Sequence, residues 1–304
     1  MMNRAYIDAV RLLLEVAPEV FREPVFALKG GTAINLFLHD MPRLSVDLDL
    51  VFIDHQPGRD EALQRIGTAL AAASAILESR GMRCARGSDA EETKLFVERD
   101  RVRVKIEVNH VFRGTVLPPA PRPLSESTQD SFFTDIELPL LHPDELYGSK
   151  LVAAMDRQHP RDLFDVLGLY ARDGLTPGVV ECFVCYIAGH NRPVHEVLFA
   201  NQLDIARSYI NEFVGMTREP LALDELLQVR NSLFSELPSA LTNNHREFLL
   251  GLVGCEPDWS LMSCPHLRDM PAIRWKLANL QRLHEVNPAK FSDQQSELRR
   301  RLGT

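Results

Sequence analysis

The sequence is poor in long apolar runs, in cysteine and in excess positive charge. No apolar stretch approaches the ~20 residues that a membrane-spanning helix needs. The first residues also lack the charged and apolar regions of a signal peptide. We therefore expect a cytoplasmic protein with no membrane partner. The formal net charge of −8 disfavours broad, charge-driven binding to DNA, although it leaves room for a local basic groove.

Cysteine is too scarce for a disulfide framework, because the 304 residues contain only five. Cys182 and Cys185 have the spacing of a metal-binding or redox pair. A zinc site needs a second pair nearby, however, and the chain offers only Cys255 and Cys264, far downstream. The pair also lies within an apolar run, residues 179–188. We therefore favour buried free thiols over a metal or redox site.

Internal repeats and low-complexity segments are also absent, and 45% of the residues are hydrophobic, which is typical of folded globular domains. Apolar residues at helical spacing predict three early helices, over residues 3–16, 32–39 and 60–80. Thr32 is the predicted N-cap of the second helix. Buried or alternating apolar residues predict strands, over residues 25–28, 46–53, 93–98, 101–111 and 132–138.

The pattern changes near the middle of the chain. Residues 113–129 are rich in proline and predict a loop. From residue 143 the pattern is helical to the end, with breaks at residues 174–177, 191–193 and 256–257. The expected fold class is therefore α+β: a mixed sheet with helices over residues 1–140, followed by an all-helical domain over residues 141–304.

The most informative motif is a glycine pair at a predicted strand-to-helix turn, Lys29-Gly30-Gly31-Thr32. Glycine lets the backbone approach a ligand closely, and the free N–H groups at the start of a helix favour a phosphate. Thr32 and Ser45 add hydroxyl groups, while Lys29 and Arg43 add positive charge. Together these residues predict a phosphate site, for which a plain tight turn is the alternative.

Asp47 and Asp49 begin the next predicted strand. Side chains alternate along a strand, so both carboxylates point the same way, about 6–7 Å apart. Their mutual repulsion is reversed by a divalent cation such as Mg²⁺, which prefers oxygen ligands. A two-metal site needs a third acid, and Glu107 is the only one on the polar face of the following long strand. We predict that these acids bind two Mg²⁺ ions. The alternatives are a solvated strand face and, for Asp47 and Asp49, a helix-capping acid.

A second group of charged residues occupies the helical half: Lys150, Arg157, Arg161, Asp162 and Asp165. Lys150 and Arg157 are seven residues apart on one predicted helix and share a face, and Pro160 separates that helix from the next. A basic residue and paired acids at a bent helix pair could line one wall of a cleft. A surface ion-pair network explains the same spacing at least as well.

The glycine and Asp-x-Asp motifs resemble the signature of the nucleotidyltransferase superfamily, with its polymerase-beta-type fold. They are more specifically similar to the AbiEii/AbiGii toxin family, in which Lys-Gly-Gly-Thr-Ala-Leu-Asn-Leu precedes Arg-x-Ser-x-Asp-Ile-Asp-Leu. This sequence departs only conservatively, as at Ile34 and Val46. The family's second block, Lys-Leu-x-Ala, Arg, Arg-Asp-x-x-Asp, recurs at Lys150, Ala153, Arg157, Arg161, Asp162 and Asp165. The resemblance covers residues 25–170, and residues 171–304 match no known motif.

The resemblance implies an enzyme that transfers a nucleotide from a nucleoside triphosphate to an acceptor hydroxyl and releases pyrophosphate. Asp47, Asp49 and Glu107 would bind two Mg²⁺, and Glu107 would also help to remove the acceptor's proton. Lys150 would stabilise charge on the triphosphate, and Asp165 would orient Lys150 or the base, with Asp162 as the second candidate for that role. The residues predicted to contact the nucleotide and its phosphates are Lys29, Gly30, Gly31, Thr32, Arg43, Ser45, Arg157, Arg161 and Asp162.

The resemblance also implies a toxin of a toxin–antitoxin or phage-defence pair, with an antitoxin as its partner. Some relatives add nucleotides to the 3′ end of tRNA. Basic residues beside Glu107 offer some support for an RNA acceptor, although solvated charge on an edge hairpin explains them at least as well: Arg99, Arg101, Arg103, Lys105 and Arg113. The residues also leave open a protein-modifying or small-molecule nucleotidyltransferase, and a non-catalytic module that binds a nucleoside triphosphate.

Overall fold

The computed structural model describes residues 4–87 and 93–303 of the chain. These residues form two compact units. The first unit runs to His142 and includes the segment Phe213–Leu221, while the second holds Pro143–Glu212 and the chain from Ala222 onward. The division predicted after residue 140 did not place Phe213–Leu221 with the first unit. None of the helices in the described residues is long and apolar enough to cross a lipid bilayer.

The first unit combines a sheet with helices. Its helices are α1 (Arg4–Val20), α2 (Gly30–Thr32), which continues as a π-helical turn over Ala33–Leu38, α3 (Arg59–Ser79) and α4 (Glu126–Phe132). Its strands are β1 (Phe26–Lys29), β2 (Asp47–Phe52), β3 (Arg83–Arg86), β4 (Lys94–Arg99), β5 (Val102–Asn109), β6 (Ala120–Pro123) and β7 (Glu137–Leu140).

Within the described residues, seven strands form one mixed sheet in the order β3-β4-β5-β2-β1-β7-β6. The pairs β2–β5 and β1–β7 are parallel, and the other neighbours are antiparallel. Alternation along β2 buries Leu48 and Leu50 and leaves Asp47 and Asp49 partly exposed. Helix α1 packs against β5, and α3 packs against α1 and β3, so these helices cover the apolar face of the sheet. The polar face carries the acids.

Four elements of the first unit differ from the sequence predictions. Helix α4 begins at Glu126, within the stretch of residues 113–129 that is predicted as a loop. Strand β6 lies in the stretch predicted as a loop, where Pro121 and Pro123 are tolerated because β6 is an edge strand. Strand β3 was not predicted. The strand predicted over residues 132–138 is wrong for its first half, because Phe132 ends α4 and Phe133 turns the chain with a φ of +52°. Strand β7 begins only at Glu137.

The helix after β1 also begins earlier than predicted. It starts at Gly30 with Lys29 as the N-cap, so the prediction of Thr32 as N-cap is wrong. Thr32 already has helical backbone angles and caps nothing with its side chain, because its hydroxyl bonds elsewhere. Gly30 has a φ of +74°, a conformation that glycine adopts without strain.

The second unit is helical, as the sequence predicts from residue 143. Its helices are α5 (Pro143–Asp156), α6 (Pro160–Tyr170), α7 (Pro177–Ala188), α8 (Val194–Leu198), α9 (Ala206–Glu212), α10 (Leu223–Ala240), α11 (Asn243–Val253), α12 (Pro271–Val286) and α13 (Pro288–Leu302), with single 3₁₀ turns at Trp259–Leu261 and Leu267–Asp269.

Helices α5 and α7 pack closely at Gly148, where a Cβ would lie 2.6 Å from the Cβ of Cys182. Cys182 and Cys185 are buried on α7, and none of the five cysteines, all within the described residues, forms a disulfide. Burial raises the pKa of the Cys185 thiol well above its ordinary value. The expectation of buried free thiols is confirmed.

Candidate active site

The three predicted metal-binding acids lie on one face of two adjacent parallel strands. Asp47 pairs with Lys105, and Asp49 pairs with Glu107, in the register of β2 with β5. Residues paired in this way project to the same side of a sheet, from strands about 4.8 Å apart. The alternation of polar and apolar residues in both strands therefore brings Asp47, Asp49 and Glu107 together, although about 60 residues of sequence separate β2 from Glu107.

A lysine side chain lies among these acids. Lys105 Nζ donates a hydrogen bond to Glu107 Oε2 at 2.9 Å, and Lys94 Nζ is 3.9 Å from Glu107 Oε1. Burial opposes the charged form of Lys105, but the bond to Glu107 and the negative charges of Asp47 and Asp49 together raise the pKa of Lys105. All three carboxylates thus favour a cation at the position of the Lys105 ammonium group on this face of the sheet.

The carboxylate set fits Mg²⁺ in its chemistry, because hard oxygen donors are the ligands that this ion prefers. Among the residues that the structure describes, no three histidine, cysteine, aspartate or glutamate side chains are already arranged as a metal site. Glu107 instead shares its charge with Lys105 and Lys94. That Asp47, Asp49 and Glu107 bind two Mg²⁺ ions stays a prediction.

Side chains of neighbouring site residues lie against both glycines of the turn. A Cβ on Gly30 would collide with the Asp49 carboxylate. A Cβ on Gly31 would lie 2.5 Å from Arg43 Nη2 and 3.1 Å from Ser45 Oγ. The glycine pair thus lets the Asp49 carboxylate and the Arg43 guanidinium approach the backbone. Lys29 pairs with Asp49 across β1 and β2 and therefore projects to the same face.

Thr32 connects the helix start to the acidic strand. Its hydroxyl donates to the backbone carbonyl oxygen of Asp47 at 2.5 Å, and its oxygen lies 3.0 Å from Ser45 Oγ. Thr32 is fully buried, and Ser45 is 9% exposed. In this arrangement the Thr32 hydroxyl holds the backbone of Asp47, and the Ser45 hydroxyl lies beside that of Thr32. That they also contact a phosphate stays a prediction.

Arg43 is 2% exposed, and it lies on a loop held by a distant part of the sequence. We call residues Phe213–Leu221 the strap. The backbone N–H of Leu44 donates to Met216 O at 2.8 Å, and that of Arg218 donates to Pro42 O at 2.9 Å. Arg43 forms an isolated β-bridge with Thr217 between them. Sequence reasoning missed the strap, because its binding partner lies about 170 residues away.

The basic residues predicted near Glu107 do not form one cluster. Arg99 projects to the helical side and pairs with Glu15 of α1. Arg113 is buried and donates to the backbone oxygen of His110, while Arg101 lies in the turn before β5. Of the five predicted residues, only two share the polar face of β5 with Glu107: Arg103 and Lys105.

The second block forms a compact ion-pair cluster within the second unit. Lys150 Nζ lies 2.8 Å from Asp162 Oδ1 and 3.0 Å from Asp165 Oδ2. Arg157 also binds Asp162, with Nε 2.5 Å from Oδ2 and Nη2 2.9 Å from Oδ1. Burial opposes the charged form of Asp162, but Lys150 and Arg157 bring its pKa well below the ordinary value. Arg161 makes no ion pair within residues 4–87 and 93–303.

Lys150, Asp162 and Asp165 are buried, so the alternative of a surface ion-pair network is wrong for these three residues. Each unit thus brings together its own group of the predicted site residues. The first brings together Lys29, Gly30, Gly31, Thr32, Arg43, Ser45, Asp47, Asp49 and Glu107, and the second brings together Lys150, Arg157, Asp162 and Asp165. That the second group serves the nucleotide stays a prediction.

Solved structures provide a comparison of fold. Seven chains match, and one of them is MenT4, the nucleotidyltransferase toxin Rv2826c from Mycobacterium tuberculosis H37Rv. The two sequences are 18% identical, the match covers 91% of this chain and 95% of that chain, and the TM-score is 0.61. At this identity the similarity shows the fold alone. It confirms the predicted α+β fold with a mixed sheet and many helices.

Sequence comparison identifies the family. No curated protein matches the chain. A family model described as "Nucleotidyl transferase AbiEii toxin, Type IV TA system" matches residues 11–279. This match includes both motif blocks and extends more than 100 residues beyond the second. The chain therefore belongs to the AbiEii family of nucleotidyltransferase toxins of type IV toxin–antitoxin systems.

Proposed function

We propose that this toxin transfers a nucleoside monophosphate from a nucleoside triphosphate to an acceptor hydroxyl, releases pyrophosphate and depends on Mg²⁺. The observation that carries the proposal is the placement of Asp47, Asp49 and Glu107 on one face of β2 and β5, around the ammonium group of Lys105. Mg²⁺ held by these acids would activate the acceptor oxygen and neutralise charge on the leaving pyrophosphate.

The surrounding residues hold the acids in place. Thr32 fixes the backbone at Asp47, and the missing side chain of Gly30 leaves room for the Asp49 carboxylate. Preorganised charges of this kind stabilise a transition state because they need no rearrangement during the reaction. Glu107 accepts a hydrogen bond from Lys105 and takes up the acceptor's proton in this proposal.

Positive charge for the triphosphate comes from Lys29 and Arg43. Lys29 projects beside Asp49, and Arg43 is held against the backbone of Gly31. In the second unit, we assign Lys150 to the stabilisation of triphosphate charge and Asp165 to its orientation. What supports this assignment is that Asp162 and Asp165 contact the same ammonium group and restrict its position.

The acceptor that we propose is the 3′ end of a tRNA, and the partner is a cognate antitoxin. The family supports an antitoxin, because its members are toxins of toxin–antitoxin systems. The test is incubation with each α-labelled nucleoside triphosphate, Mg²⁺ and total tRNA or cell lysate. We expect label in tRNA. Label in protein or in a small molecule instead would contradict the RNA acceptor while keeping the transfer reaction.

The catalytic acids are tested with D47N, D49N and E107Q. We expect each variant to lose transfer by about 10²-fold or more, as for other preorganised charged groups. E98Q is the matched control, because Glu98 lies on the same face but pairs with Arg83 near the sheet edge. Thermal unfolding checks that all four variants fold. Full activity in both D47N and D49N would refute the proposal.

A further inference from the structure

The polar face of the sheet continues from the acids onto β4, where it carries an aromatic residue. Phe96 pairs with Lys105 across β4 and β5, and Lys94 pairs with Glu107. Phe96 therefore projects to the same side as the acids, two strands or about 10 Å from β2. Its neighbours in sequence, Leu95 and Val97, are fully buried on the opposite face.

An arginine covers this ring. Arg103 lies two residues before Lys105 on β5, and its guanidinium carbon is 4.0 Å from the centre of the Phe96 ring. The acid opposite Arg103 is Glu98, which bonds to Arg83 instead. In the part of the chain that the structure describes, Arg103 makes no ion pair, and it is exposed. The guanidinium is thus supported on one side and accessible on the other.

A planar cation supported by an aromatic ring suits a particular kind of ligand. Bases of single-stranded nucleic acids stack on aromatic rings and on arginine guanidinium planes, and every base offers a suitable face. On the polar face of β4 and β5, the basic residues Lys94, Arg103 and Lys105 also outnumber the acids Glu98 and Glu107, in a chain whose net charge is −8. This local charge complements a phosphate backbone. An acceptor hydroxyl on a folded protein would need neither a stacking surface nor this local positive charge.

We propose that Phe96 and Arg103 form a stacking platform for an unpaired base of a polynucleotide acceptor, beside the acids of β2 and β5. The inference rests on the proposed transfer reaction, because the platform positions the acceptor for it. The base stacks on the outer side of the Arg103 guanidinium, and Phe96 holds that plane in place. Phe96 and Arg103 are thus binding residues for the acceptor, not for the nucleoside triphosphate.

The test measures binding of the full-length protein to a fluorescein-labelled single-stranded RNA octamer by fluorescence anisotropy. F96L keeps the apolar volume but removes the aromatic face, and R103K keeps the charge but removes the planar group. We expect each to weaken binding about 5- to 150-fold, which is the effect of losing one stacked base. F96W restores the affinity. A blunt RNA duplex, which presents no unpaired base, binds more weakly to the wild type.

R83A is the matched control for charge. Arg83 is an exposed basic residue on the same face, paired with Glu98. Its removal reduces the salt dependence of binding but leaves affinity at high salt near the wild-type value. The affinity for nucleoside triphosphate, measured in parallel, is retained in F96L and R103K.

Either of two results with the variants overturns the platform. One is wild-type affinity for the octamer in F96L; the other is a loss in R103K no greater than that in R83A. A wild type that releases pyrophosphate and labels an acceptor, yet binds no single-stranded RNA, removes the platform and leaves the transfer reaction intact. Full transfer in D47N and D49N removes the proposed reaction itself, whatever the octamer shows.

Discussion

Replacement of Gly30 by alanine, compared with the same replacement at Gly81, distinguishes a loss of stability in the first unit from a displacement of the Asp49 carboxylate. Gly30 has a φ of +74°, and an added Cβ would collide with the Asp49 carboxylate. Gly81 has a φ of +82°, but a Cβ there would meet no atom within 4 Å. The variants G30A and G81A therefore introduce the same kind of backbone strain in the same unit. Only G30A displaces a site residue.

The expected magnitudes follow from these contacts. A left-handed conformation costs a residue with a Cβ roughly 1–2 kcal/mol. In a unit of about this size, that cost lowers the midpoint of thermal unfolding by roughly 2–8 °C. The Asp49 carboxylate must also move by about 1 Å to make room, and misplacement of a reacting group by that distance costs ~10²-fold in rate.

The assay compares kcat/KM for pyrophosphate release, together with thermal unfolding, in wild type, G30A and G81A. We expect similar losses of stability in both variants and a loss of activity of about 100-fold in G30A alone. Equal activity in G30A and G81A would show that Asp49 does not need its position over Gly30. The assignment of Asp49 to the catalytic acids would then be untenable.

Three other variants or reagents test separate parts of the structure. T32V removes the hydroxyl that donates to Asp47 O, so we expect a loss of about 1–3 kcal/mol in unfolding free energy, restored by T32S; an unchanged denaturation midpoint would contradict this. D162N leaves Lys150 and Arg157 short of a buried carboxylate and destabilises the protein by about 3–5 kcal/mol at pH 7. The pKa of Asp162 in the folded protein lies below the ordinary 3.8, so its contribution to stability is complete above pH 3.8 and declines as the pH falls further. Denaturant titrations should therefore show the unfolding free energies of wild type and D162N converging in acid. Burial raises the pKa of both the Cys185 and the Cys255 thiols, but Cys185 is fully buried and Cys255 is half-exposed. Iodoacetamide should therefore modify Cys185 at pH 8 far more slowly than Cys255; equal rates would argue against the packing of α7.

The part of the site that could be predicted from the sequence depends on local periodicity. Alternation in β2 and β5 indicates which residues share a face, and it selects Glu107 as the acid that joins Asp47 and Asp49. The helix predicted over residues 60–80 likewise matches α3, Arg59–Ser79, because its apolar residues recur at helical spacing.

The missed features depend on contacts between distant residues. Arg99 resembles the other basic residues of its hairpin in sequence, yet alternation places it on the helical side, where Glu15 binds it from 84 residues away. The Thr32 hydroxyl suits a helix cap locally, but the carbonyl oxygen of Asp47 competes for it. The prolines of β6 indicate a loop unless the strand is known to lie at the sheet edge.

The strap has a consequence for the order in which the toxin acquires its parts on the ribosome. Leu44 and Pro42 emerge early, but the backbone groups that bond to them belong to Met216 and Arg218. More than two thirds of the 304 residues must be translated before those partners exist. A translation product that ends before residue 213 lacks Met216 and Arg218, so the strap does not hold its Arg43 loop. The fold around Arg43 is thus completed only late in translation.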